Sequence, residues 1–121
     1  SAGHPGAAFN LGVLLAEAGR GEEAEQLYRR ALSAGHPGAA FNLGVLLAEA
    51  GRGEEAEQLY RRAADAGDIN AVVNLGVLLA EAGRDEEAEQ LYRRALSAGH
   101  PGAANNLNNL LSETERTEGV E

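Results

Sequence analysis

Apolar residues recur along the chain at helical spacing, in blocks that glycines separate. After Pro5 the small and aliphatic residues lie three or four positions apart, which places them on one face of a helix. This face comprises Ala7, Ala8, Leu11, Leu14, Leu15 and Ala18. A second face follows the glycines at 19 and 21 and comprises Ala24, Leu27, Tyr28, Ala31 and Leu32. The pattern predicts two amphipathic helices joined by a tight turn.

The helix pair is repeated at a fixed period. Gly3, Gly35, Gly67 and Gly99 are each 32 positions apart, and residues 33–64 copy residues 1–32 except that Ala64 replaces Leu32. Periods of this length are typical of solenoids, in which each unit buries its apolar face against its neighbours. We predict an all-α, right-handed α-solenoid of three helix-turn-helix hairpins and a C-terminal capping helix. It would occupy 1–113, with repeats at about 3–34, 35–66 and 67–98 and a half-repeat at 99–113.

The helix ends carry signals of their own. His4 stands where an N-cap is expected, and Asp68 takes the same place in the third copy. Prolines would then occupy the first helical position, where a missing N–H has no cost. These are Pro5, Pro37 and Pro101. The last segment, 114–121, is polar and acidic, and we expect it to fray.

Several positions of each copy resemble the tetratricopeptide repeat. In the first copy they are Leu11-Gly12, Ala24, Tyr28 and Ala31, at the spacing of that family. The same set recurs as Leu43-Gly44, Ala56, Tyr60 and Ala63, and as Leu75-Gly76, Ala88, Tyr92 and Ala95. The chain departs from the common pattern, since Ala8 and Leu15 replace a Trp and a Tyr and the unit is shorter than the family's roughly 34 residues. The connection at 60–68 is similar to that of Sel1-like repeats.

The resemblance implies a superhelix whose first helices line a concave groove for an extended peptide, a helix or a partner protein. The groove-facing positions in the first two copies would be Phe9, Asn10, Val13, Glu17, Phe41, Asn42, Val45 and Glu49. Those in the last two would be Val73, Asn74, Val77, Glu81, Asn105, Asn106, Asn109 and Glu113. The resemblance thus implies a non-catalytic interaction scaffold.

Two columns of these positions are open to two interpretations each. The Asn column, at 10, 42, 74 and 106, would pair with the backbone of an extended peptide, because an amide both donates and accepts. Alternatively it caps or bridges neighbouring helices. The column that begins with Phe9 and Phe41 either anchors a ligand or packs between helices. The Glu column favours a basic or neutral ligand if it faces inward.

Composition and charge exclude several other functions. The net charge is −9, which disfavours nucleic acid and anionic membranes as partners, and no apolar run approaches the ~20 residues of a membrane span. With no cysteine and one histidine per repeat junction, we expect no metal site and no cofactor. No base lies beside a nucleophile at a consistent spacing, so we predict no enzyme. Without a charged-then-apolar leader, we expect a cytoplasmic protein.

A second class of function stays open at this point. The N-terminal hairpin has no polar cap, so a second copy could cover it through homodimerisation or end-to-end association. The chain would then be a structural, self-associating array without a separate ligand. The near-identity of the first two copies fits either recent amplification or design. Arginine without lysine, together with abundant Ala and Gly, is typical of proteins from GC-rich bacterial genomes.

Overall fold

The helical spacing of the sequence produces helices throughout the described chain. The structure is a computed structural model that describes residues 4–119, with the side chains described up to 115. It contains α1 (Pro5–Glu17), α2 (Gly21–Ser33), α3 (Ala39–Glu49), α4 (Gly53–Asp65), α5 (Ile69–Glu81), α6 (Asp85–Ser97) and α7 (Ala103–Gly119), with no strand in this range. The all-α repeat array is therefore confirmed. The N-terminal boundary predicted near residue 3 lies outside the described residues.

The helices pair into three hairpins, which belong to two compact units. The first unit ends at Ala66 and contains the hairpins α1–α2 and α3–α4, with α2 packed against α3. The second begins at Gly67 and contains the hairpin α5–α6 and the single helix α7, which packs mainly against α6. Three hairpins and a C-terminal helix were predicted, and this is the observed order.

The core of each unit consists of small residues and a few leucines. Ala24, Ala31 and Ala39 are fully buried in the first unit, and Ala88, Ala95 and Ala103 in the second. Small side chains allow neighbouring helices to approach closely. A glycine with positive φ follows each of the helices α1 to α6, as Gly19 does after α1 with a φ of 79°.

The helix that follows each His-Pro-Gly segment starts later than predicted in two of three copies. Pro5 opens α1, but α3 begins at Ala39 and α7 at Ala103, so that Pro37 and Pro101 lie in turns. Just before α3 the ring of His36 stacks on Phe9, with ring centroids 4.0 Å apart, and the His36 Nδ1 accepts the Gly38 N–H at 3.0 Å. This bond closes a turn where the helix would otherwise begin.

The same turn precedes α7, where the histidine is held by a different residue. His100 Nδ1 accepts the Gly102 N–H at 3.0 Å, and its Nε2 lies 3.1 Å from Asn70 Oδ1. His36 and His100 therefore form turns and are not N-caps. His4 stands at the N-cap position of α1 without a side-chain bond, and Asp68 is an N-cap as predicted, since it accepts the Ala71 N–H.

The apolar face of α1 is much less buried than that of α3. Leu11 and Leu14 are 49% and 62% exposed, whereas Leu43, the equivalent of Leu11 in α3, is fully buried. The sequences of the two helices are identical over this stretch, but α3 has α2 packed against it, and no described helix precedes α1. The face is therefore largely buried in α3 and uncovered in α1, in the hairpin for which the sequence predicted no polar cap.

The C-terminal helix is longer than the sequence predicts. α7 continues past Glu113 to Gly119, whereas fraying was expected from 114 onward. Thr114 is half-buried, and its hydroxyl donates to the Leu110 carbonyl at 3.0 Å within the helix. The rest of the predicted tail, at 120 and 121, lies outside the described residues.

Candidate functional site

Each hairpin places a tyrosine ring flat against a glycine of its partner helix. In the first hairpin a Cβ on Gly12 would lie 2.8 Å from Cδ1 and Cε1 of Tyr28, closer than real Cβ atoms approach. The same contact joins Gly76 and Tyr92, where the shortest distance would be 2.6 Å. Both tyrosines are 3% exposed. The absent side chain therefore creates the space that the ring occupies.

In the first unit this ring forms one wall of a small cavity, the first Tyr pocket. The pocket has a volume of about 170 Å³ and lies between α1, α2 and α3. Its lining residues are Ala16, Tyr28, Phe41, Asn42, Val45, Leu46 and Glu49. Four of them, on α3, are predicted groove positions: Phe41, Asn42, Val45 and Glu49.

The second unit has an equivalent cavity, the second Tyr pocket, of about 230 Å³. Its lining residues are Val77, Ala80, Glu81, Tyr92, Asn106, Asn109, Leu110 and Glu113. Ala80, Tyr92, Asn106 and Glu113 lie 64 positions after Ala16, Tyr28, Asn42 and Glu49, which is two repeat periods. The repeat therefore produces this cavity in both units.

Each pocket contains an amide and a hydroxyl that form no hydrogen bond within the described part of the chain. The side chains of Asn42 and Asn106 are half-buried and form no hydrogen bond with a described residue. The Tyr28 and Tyr92 hydroxyls have no such partner either. All fully buried side-chain polar atoms in the described part have a partner, so these hydroxyls must reach solvent, and both tyrosines line the pockets.

The two pockets differ in charge. Glu49 is the single carboxylate of the first pocket, whereas Glu81 and Glu113 both line the second. Burial, and after it the negative charges of Glu81 and Glu113, raise the pKa of the Tyr92 hydroxyl above its ordinary value of 10.0. This hydroxyl therefore keeps its proton at neutral pH and faces two carboxylates.

The predicted groove residues fall into two groups. Those that line the Tyr pockets are Phe41, Asn42, Val45, Glu49, Val77, Glu81, Asn106, Asn109 and Glu113. The others lie outside both pockets: Asn10, Glu17 and Asn105 are exposed, Val13 and Asn74 are half-buried, and Val73 belongs to the core at 6% exposure. The Asn column thus contributes one amide to each pocket.

Phe9 and Phe41 have different surroundings, although their sequences are alike. Phe9 packs on the cluster of Ala8, Ala31 and Ala39 and stacks on His36, which is the packing interpretation. Phe41 tilts against Tyr60, with ring centroids 6.1 Å apart, and also lines the first Tyr pocket.

Sequence reasoning missed the tyrosine hydroxyls. It assigned Tyr28 to filling space, which its ring does, but phenylalanine would fill that space equally well. The presence of a hydroxyl at this position in three copies was the available signal.

Other kinds of site find no support in the described residues. Over residues 4–115 no group of three or more His, Asp or Glu side chains is arranged to hold a metal ion. None of the helices described is long and apolar enough to cross a membrane. A further cavity of about 390 Å³, lined by Ala7, Leu11, Leu27 and their neighbours, lies on the uncovered face of the first hairpin.

Comparison with known families decides the classification. Two family models, each described as tetratricopeptide repeat, match residues 9–69 and 47–113. The chain belongs to the tetratricopeptide repeat family. Each model covers half of the chain or more, and together they span residues 9–113, from within α1 to within α7. No curated protein matches the sequence.

Solved structures of tetratricopeptide repeat proteins share this fold. One is the first TPR of Spaghetti (RPAP3) bound to the HSP90 peptide SRMEEVD, with a TM-score of 0.84 and 18% identity over 95% of this chain and 96% of that one. Another is MamA of AMB-1, with a TM-score of 0.75 and 23% identity over 93% of this chain. This chain spans 64% of the MamA chain. At these identities the likeness concerns the fold alone.

Proposed function

We propose that this chain is a non-catalytic interaction scaffold that binds an extended peptide, or a helix, along the first helices of its repeats. The observation that carries the proposal is the recurrence of one cavity, with an unused hydroxyl and an unused amide, in both units. At 170 and 230 Å³ the pockets are smaller than the roughly 300–1,000 Å³ of small-molecule sites. Each therefore suits one side chain of a peptide.

Asn42 and Asn106 of the Asn column would supply the hydrogen bonds to the peptide backbone. A half-buried amide without a partner loses nothing within the chain when it bonds a ligand, and it offers a donor and an acceptor together. The RPAP3 domain of the same fold is bound to a peptide. This shared use of the fold supports the proposal for the present chain.

The test is selection from a random decapeptide library, followed by binding measurements on Asn42→Ala and Asn106→Ala. We expect each variant to bind a selected peptide about two- to tenfold more weakly, since one net hydrogen bond is removed. Gln26→Ala and Gln90→Ala are the matched controls, because they remove exposed amides from α2 and α6, away from the pockets. Unchanged affinity in both Asn variants would contradict the backbone role of the amides.

A second candidate function is self-association through the first hairpin. The observation that favours it is the uncovered apolar face on which Leu11 and Leu14 lie, with its 390 Å³ cavity. Monomeric proteins seldom expose large contiguous apolar patches without a use for them. Light scattering over a range of concentrations tests this candidate.

A further inference from the structure

The second Tyr pocket contains two carboxylates where the first contains one. Glu81 at the end of α5 and Glu113 on α7 both line it, together with Asn106 and the Tyr92 hydroxyl. We propose that this pocket binds a cationic side chain, arginine or lysine, of the bound peptide. The inference rests on the proposed peptide binding and specifies the ligand chemistry of one pocket.

The tyrosine provides an observation that is independent of the carboxylates. Tyr92 is 97% buried and lines the pocket, and its hydroxyl has no hydrogen-bond partner among the described residues. Because solvent is the only partner left to this hydroxyl in the described part, a bound donor can replace that water without breaking a bond within the protein. A guanidinium or ammonium group has only donors, so it fits an oxygen that lacks one.

The remaining polar group of the pocket is compatible with the same ligand. The Asn106 amide oxygen is a further acceptor without a partner in the described part. Hydroxyl, amide oxygen and two carboxylates together provide several acceptors, and N–H donors of a cation bonded to a carboxylate form the stronger, charge-assisted class of hydrogen bond. An anionic side chain would instead meet two like charges.

The first Tyr pocket serves as an internal comparison. In the first pocket Val45 takes the place of Asn109, and Phe41 that of Asn105. Leu46 corresponds to Leu110. Glu17, the equivalent of Glu81, does not line the first pocket. An apolar side chain suits this pocket better than a charged one. The comparison thus predicts a basic peptide residue at the second pocket and not at the first, and the net charge of −9 attracts a basic peptide at long range.

The experiment is selection from a phage-displayed random decapeptide library on the wild type and on the double variant Glu81→Gln/Glu113→Gln. The matched control is Glu54→Gln/Glu86→Gln, which removes two exposed carboxylates from the starts of α4 and α6 and changes the net charge equally. Circular dichroism verifies that all three proteins fold. We expect the wild type and the control to enrich arginine or lysine at one fixed position, and the pocket variant to lose that enrichment.

A double-mutant cycle then assigns the basic residue to the pocket. The wild-type-selected peptide and its Arg→Gln or Lys→Gln version are titrated against the wild type, the pocket variant and Tyr92→Phe. We expect the pocket variant to bind the basic peptide about tenfold more weakly and the Gln peptide nearly as well as the wild type does.

Each other outcome overturns the inference in a recognisable way. Enriched peptides without a basic position, or a basic preference that the pocket variant and the control share equally, contradict it and leave peptide binding intact. If no peptide is enriched on any of the three proteins, the proposed function fails, and the inference fails with it.

Discussion

At the scale of single residues, the contact between a glycine and a tyrosine ring decides the geometry of each hairpin. A glycine within a helix costs up to about 1 kcal/mol relative to alanine, so it is usually unfavourable there. Gly12, Gly44 and Gly76 are all buried beneath a ring, at 2.8 Å or less from a hypothetical Cβ. Each glycine weakens its helix locally but leaves room for the ring. The rings of Tyr28 and Tyr92 each form a wall of a Tyr pocket.

We expect Gly12→Ala to destabilise the chain by about 1–3 kcal/mol, because the added methyl overpacks the Tyr28 ring. Gly6→Ala in the same helix is the control. A Cβ there meets nothing within 4 Å, so we expect no loss and a gain of at most about 1 kcal/mol from helix propensity. Urea unfolding followed by circular dichroism measures both. Equal midpoints for the two variants would contradict the role of the ring.

At the scale of helices, α5 has a side-chain cap that other described helix starts lack. The Asp68 carboxylate accepts the Ala71 N–H at 3.3 Å, whereas α1, α2, α3, α4 and α6 have no such bond. A cap satisfies one of the backbone donors left free in the first turn.

Asp68→Ala should therefore lower the free energy of unfolding by about 0.5–2 kcal/mol. Asp68→Asn should lose much less, because asparagine caps as well as aspartate does. Thermal or urea unfolding of the two variants separates the contribution of the cap hydrogen bond to stability from that of the negative charge. Equal losses in both would show that the charge, and not the cap bond, stabilises α5.

The outer helices of the first unit are linked by a cluster of four charged residues. Arg52 bonds Glu25 of α2 at 2.8 Å and Glu55 of α4 at 2.9 Å, while Arg29 bonds Glu25 at 2.8 Å and Glu55 at 3.3 Å. The hydrogen bond from Arg52 is the main reason that the pKa of Glu25 lies below its ordinary value of 4.5, and that from Arg29 contributes less. The pKa of Glu55 is lowered as well, again mainly by Arg52.

A carboxyl with a lowered pKa in the folded state stabilises the fold above its unfolded pKa and loses this effect as it is protonated. We therefore expect stability to fall as the pH drops below about 4.5, with a shallower fall in Arg52→Gln than in the wild type. Urea unfolding midpoints of both proteins between pH 6 and pH 3 measure this loss of stability. Parallel pH profiles for the two proteins would mean that the cluster has no part in acid stability. Raised salt should diminish the difference, because these groups are exposed.

At the scale of the whole molecule, the exposed apolar face of the first hairpin is the surface through which copies of the chain would associate under the second candidate function. Full burial of a leucine contributes about 1.5–3 kcal/mol, and Leu11 and Leu14 are already half-buried or nearly so, which leaves less to gain. Association costs about 4–15 kcal/mol in lost freedom of motion. Covering these leucines on two copies therefore offsets the cost of association at best, and for this reason we rank peptide binding above self-association.

We accordingly expect light scattering to give a mass near 12.6 kDa at low concentration and a rise only at high concentration. Leu11→Glu/Leu14→Glu should abolish the rise, while Leu96→Glu, at another exposed leucine on α6, should leave it unchanged. A stable dimer at all concentrations would reverse the ranking of the two functions. A rise that survives the double variant would assign association to another surface.

The sequence by itself determined the repeat, the helix pairs, the family and the amides of the two pockets. These follow from local spacing, which fixes helical faces, and from exact recurrence, which places Asn42 and Asn106 at equivalent positions. Only the tertiary structure decided which copies of a residue are buried. Leu11 and Leu43 have the same local sequence, yet one is half exposed and the other fully buried, because a side chain's burial depends on its neighbour as well as on its own helix. Likewise only the packing of Tyr92 between α5 and α7 brings its hydroxyl to Glu81 and Glu113, since these residues are distant along the chain.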